Sequence, residues 1–86
     1  MLNFPNASRS YDPTRQSVRF WGYDGALEIS FFVREEALLL LAPSATPREA
    51  SLLIVFDQHR EHIIRTARKV YERRRKGSYE LHGSDF

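Results

Sequence analysis

Along the chain the hydrophobic positions change period twice. Ser17 to Tyr23 and Ala26 to Val33 are rich in β-branched and aromatic residues, with apolar side chains recurring at every second position on either side of Asp24-Gly25. This predicts two antiparallel strands joined by a two-residue type I′ turn. Pairing Tyr23 with Ala26 sets Gly22 against Leu27, Phe20 against Ile29 and Val18 against Phe31, all on one apolar face. The other face pairs Trp21 with Glu28, Arg19 with Ser30 and Ser17 with Phe32, so its apolar part is Trp21, Tyr23 and Phe32.

The period then becomes helical. Arg34 to Ala42 holds two glutamates, alanines and four leucines, which predicts a short helix stopped before Pro43. From Thr46 to Lys76 no glycine or proline follows Pro47. Thr46-Pro47-Arg48-Glu49 reads as an N-cap, a proline at the first helical position and a glutamate reaching back to the cap. Leu52, Phe56, His59, Ile63, Ala67 and Val70 recur at spacings of three and four, widened by Leu53, Ile64 and Tyr71, which predicts one long helix lying on a sheet. Gly77 is the expected C-cap. Such a helix would run roughly 45 Å, against about 30 Å for a compact chain of this size. Its last two turns are therefore expected to project.

Outside these segments the pattern is shorter. Met1 to Gln16, punctuated by Pro5 and Pro13, reads as an irregular arm in which Leu2 and Phe4 form a short edge strand. Ser78 to His82 alternates Tyr79 and Leu81 with Glu80 and His82 and predicts a final strand. The fold class expected is α+β: a small antiparallel sheet of hairpin, C-terminal strand and short N-terminal edge strand, packed by one short and one long helix.

Composition bounds the rest. Eighty-six residues with a hydrophobic fraction of 42% are expected to form a single folded domain over residues 1–86. Cysteine is absent, which points to a reducing cytoplasm and excludes cysteine-based metal sites and nucleophiles. No basic region followed by an apolar core opens the sequence, so no secretory signal is expected. The apolar runs Ala37 to Ala42 and Leu52 to Phe56 fall far short of the ~20 residues that span a bilayer, so no membrane partner is expected.

The net charge of +2 conceals an asymmetry. Arg65, Arg68, Lys69, Arg73, Arg74, Arg75 and Lys76 stand against Glu72 alone, while the remaining six cations face ten acids. The body is mildly acidic and the end of the long helix is basic. These seven cations are the candidate contacts for nucleic acid or another anion. Helix C-termini favour cations without any ligand, and no helix-turn-helix, zinc finger or RNA-recognition motif accompanies them. Trp21, Tyr23 and Phe32 are the candidate protein contact, as an aromatic cluster on an open sheet face or as a dimer seam. The alternative is that the N-terminal arm or the leucine-rich helix covers them.

Catalytic chemistry finds little footing. His59 and His62 lie three apart, not at the i and i+4 spacing of the zinc proteases, and do not converge, so no metal is expected. The serines sit in no nucleophile-elbow context and no glycine-rich phosphate loop is present, so neither catalytic residues nor a cofactor are expected.

Asn3-Phe4-Pro5, Tyr11-Asp12, Val18, Phe20, Glu36-Ala37-Leu38, Phe56, His59-Arg60, Ile63, Ala67, Tyr71 and the closing Leu81 to Phe86 together resemble the small bacterial proteins grouped as domain of unknown function 1488. The resemblance runs over nearly the whole chain. It implies a cytoplasmic bacterial stand-alone domain with a curled sheet packed by helices, and it brings no activity and no catalytic residues. The functional expectation is a small cytoplasmic non-catalytic interaction module with an unidentified protein partner or a second copy of itself. The alternative is a nucleic-acid accessory protein using the basic helix end.

Overall fold

Alternation along the central strands sorts their side chains into two sets, and the fold treats the sets differently. The computed structural model describes all 86 residues. In order the chain forms β1 (Leu2–Asn3), β2 (Ser10–Asp12), β3 (Ser17–Asp24), β4 (Leu27–Arg34), α1 (Glu35–Leu41), α2 (Glu49–Gln58), α3 (Arg60–Arg73), β5 (Ser78–Leu81) and a closing 3-10 turn at Gly83–Asp85. The class is α+β. Strands run in the order β1-β3-β4-β5, with β2 also on β3. The two short N-terminal strands share one edge of β3, β1 against Tyr23 and Asp24 and β2 against Ser17 to Arg19.

The sheet is mixed, not antiparallel throughout. β3 and β4 are antiparallel, but β5 runs parallel to β4. Tyr79 and Leu81 would alternate in the same way in either direction, so the sequence carries no signal for it. The helices decide it by returning the chain to the end where β4 begins, as a parallel crossover requires.

The register also differs from expectation. Asp24 pairs with Leu27, Phe20 with Phe31 and Val18 with Val33. The two strands are thus offset by two residues from the expected pairing, which leaves every side chain on its expected face because the strand period is two. The turn explains the offset. Gly25 has φ +63 while Ala26 has no positive φ, the sign pattern of a type II′ turn centred on Gly25-Ala26. Leu27, expected on the apolar face, lies at the turn and is exposed.

The single long helix is two helices. The interruption is one residue, His59, at φ −109 and ψ 17; it closes α2 and precedes α3. Its N–H donates to the Val55 and Phe56 carbonyls and its carbonyl accepts from Ile63. The N-terminal arm grips both sides of the break. Arg9 makes a two-pronged ion pair with Asp57, both contacts at 2.8 Å, and Arg60 donates to the Asn6 carbonyl at 2.7 Å.

Both predicted ends move inward. The cap of α2 is Arg48 rather than Thr46, whose hydroxyl instead meets that of Ser51 at 2.7 Å. At the far end α3 stops at Arg73, because Arg74 adopts extended backbone. The Tyr79 hydroxyl accepts from the Lys76 N–H and donates to the Arg74 carbonyl, which holds the link out of helix.

All three helices bury apolar side chains against the same sheet face. Ala37 and Leu38 come from α1, Leu52, Val55 and Phe56 from α2, and Ile63, Ala67 and Tyr71 from α3. They join Leu2, Val18, Phe20, Ile29, Phe31, Val33, Tyr79 and Leu81 in one cluster of 16 buried residues. Its centre is aromatic. The ring of Phe20 lies 5.1 Å from Phe56, 5.3 Å from Phe31 and 5.6 Å from Phe4. Such pairs stabilise beyond the area they bury.

Candidate functional site

Two surfaces remain after the core is accounted for. The first is the other face of the sheet. Ser17, Arg19, Trp21 and Tyr23 of β3 are opposite Arg34, Phe32, Ser30 and Glu28 of β4, and Glu80 of β5 is next to Phe32. The helices are on the far side, so α1 covers none of Trp21, Tyr23 and Phe32, and the arm reaches only Phe32, through Arg15. Arginines lie over the rings instead. The Arg19 guanidinium stands 4.6 Å from the Trp21 ring and that of Arg15 stands 4.1 Å from the Phe32 ring. Phe32 is buried as a result, while Trp21 and Tyr23 stay half-exposed. Ion pairs frame the rings, Arg19 with Glu28 at 3.2 Å and Arg34 with Glu80 at 3.8 Å. Alternation in the sequence places Arg19 on this face but does not show that it stacks on Trp21, and nothing in the sequence marks Arg15 as the cover of Phe32.

The second surface is where the basic run ends. Its seven cations do not form one patch. Arg65, Arg68 and Lys69 project from the exposed side of α3, and Arg68 leans over the Phe4 ring at 5.6 Å with Nε 3.4 Å from the Leu2 carbonyl. Arg75 turns toward Asp24, 3.7 Å from its carboxylate, and lies over Tyr71. Arg73, Arg74 and Lys76 stand together around an open groove of ≈ 530 Å³ between the end of α3 and β5. None of these three is ion-paired. The run splits because α3 ends early and the link that follows is extended.

A polar cluster joins β3 to α3 between these surfaces. Asp24 accepts from the Tyr71 hydroxyl at 2.6 Å and from the Met1 ammonium at 3.0 Å. The Tyr71 bond holds the Asp24 carboxyl below the usual carboxylate range, helped by that ammonium and by Arg75. The same bond, with desolvation, raises the Tyr71 phenol. Asp57 is likewise held low, chiefly by its bond to Arg9.

The two histidines do not come together. His59 is half-buried at the helix break, and His62 meets the Phe86 ring edge-on at 5.4 Å. No group of three His, Asp or Glu side chains is placed to hold a metal ion. No helix is long and apolar enough to cross a membrane.

A family model described as "Protein of unknown function (DUF1488)" matches residues 2–82. No curated protein and no solved structure matches the chain.

Proposed function

Because the chain belongs to the DUF1488 family, which carries no assigned activity, we propose its function from the surface: it is a small non-catalytic interaction module that binds through the bare face of its sheet. The observation that carries this reading is the one-sidedness of the fold. Three helices crowd one face, and the other shows Trp21 and Tyr23 beside stacked arginines. Trp, Tyr and Arg are the residues that dominate binding energy in protein interfaces.

The partner proposed is a second copy of the chain. A two-fold interface must complement itself, and this face carries both signs, Arg15, Arg19 and Arg34 with Glu28 and Glu80, around its apolar centre. Sedimentation over a range of concentrations tests the proposal. The wild type should associate and Trp21→Ala should sediment as a monomer with an unchanged circular dichroism spectrum. A wild type that stays monomeric throughout would overturn self-association through this face.

A further inference from the structure

The sheet has two edges, and they are finished differently. The β3 edge is taken up by β1 and β2, strands of two and three residues. β5 ends the sheet on the other side with nothing beyond it. Its pairing with β4 shows which backbone groups are left. Ser30 donates to the Gly77 carbonyl, and Ser30 pairs with Ser78. In a parallel ladder alternate residues turn to the partner, so Gly77, Tyr79 and Leu81 face β4. The N–H and C=O groups of Ser78 and Glu80 point outward, and no hydrogen bond within the chain uses them.

This edge opens into the groove at the end of α3. Val70 and Tyr79 supply its apolar wall, and Arg73, Arg74 and Lys76 outnumber its one carboxylate, Glu80, beside His82. The link that carries two of these cations is already fixed by the Tyr79 hydroxyl. Little order remains to be imposed when a ligand enters.

We propose that the β5 edge and the groove beside it form a binding site for an extended acidic peptide segment, which adds to the sheet as a further strand. Main-chain bonds to Ser78 and Glu80 supply the pairing. Alternate side chains of the added strand turn toward α3, where carboxylates meet Arg73, Arg74 and Lys76, cations that have no acidic partner in the chain. This site does not depend on self-association through the bare face, and the two are tested by different measurements.

The probe is a short fluorescent peptide alternating Glu and Val, titrated by anisotropy at low salt. Binding should weaken about tenfold when Arg73, Arg74 and Lys76 are all replaced by Gln, the loss expected of three exposed charge pairs. The same peptide with Lys in place of Glu should not bind. Two N-methylated forms separate strand addition from charge attraction. Methylating the amides of alternate residues in one phase blocks the bonds to β5, whereas the other phase leaves them intact, so one form should lose binding and the other keep it. Equal binding by both forms overturns the proposal. So does binding of a single-stranded oligonucleotide in the absence of any peptide binding, which would make the groove a phosphate contact.

Discussion

Phe20 and Trp21 are neighbours in sequence and belong to different regions of the molecule. The first is 1% exposed among the rings of Phe4, Phe31 and Phe56, and the second lies on the bare face under one arginine. The same strand therefore supplies a side chain whose loss opens a cavity and one that stays partly exposed beside a guanidinium. Aromatic residues in a small sheet therefore cannot be pooled as core. Their parity along the strand decides whether they hold the fold or face outward.

Truncating both side chains should separate the two regions most widely. Phe20→Ala should cost about 3–5 kcal/mol, as large-to-small changes in a packed core do, which is a large share of the stability of a chain this size. Trp21→Ala should cost less, about 1–2 kcal/mol, from the cation–π contact and the covered part of a half-exposed ring. Denaturant melts of the two variants give the ratio. Similar losses would mean that the bare face is part of the core after all.

Gly22 belongs to the covered face yet has no side chain. A Cβ there would stand 2.7 Å from the Asn3 carbonyl oxygen and 2.8 Å from the Phe4 ring. The arm closes over this glycine, and the obstructing oxygen is backbone, so β1 must move. Gly22→Ala should cost about 1–3 kcal/mol, as overpacking does. Hydrogen exchange should quicken at Leu2 and Asn3, which pair with Asp24 and Tyr23. Unchanged exchange there would show that the arm gives way without unpairing.

Much of this division is legible in the amino-acid sequence. Alternation assigns Val18, Phe20, Ile29 and Phe31 to the core and Trp21 to the opposite face, and a register offset of two leaves those assignments intact. What is not legible depends on contacts between distant residues. The break at His59 goes with Arg9 gripping Asp57 and Arg60 reaching Asn6, pairs separated by about fifty positions, and nothing in the helical period marks it. The direction of β5 has no pattern of its own. A run of seven cations reads as one patch in sequence, but it divides once Tyr79 draws the chain out of helix after Arg73.

The smallest effect concerns the polar end of the covered face, where Asp24 accepts from Tyr71. Asp24 is held below its ordinary value, chiefly by the Tyr71 hydroxyl. Its contribution is thus fully present above the unfolded carboxylate pKa of about 4, and it is lost as pH falls through the lower folded value. Tyr71 is raised, chiefly by the same bond. Its contribution is full below about 10 and is lost as pH rises through the raised folded value. Stability should therefore be level across neutral pH and fall on both sides. Tyr71→Phe should soften both limbs, since Tyr11, raised chiefly by desolvation, still contributes to the alkaline one and Asp57, held down by Arg9, to the acid one. Trp21→Ala should leave both limbs as they are, because the bare face takes no part in this pair. Denaturation midpoints measured across pH for the three proteins decide it, and a Tyr71→Phe profile parallel to the wild type would detach the pH response from this end of the covered face.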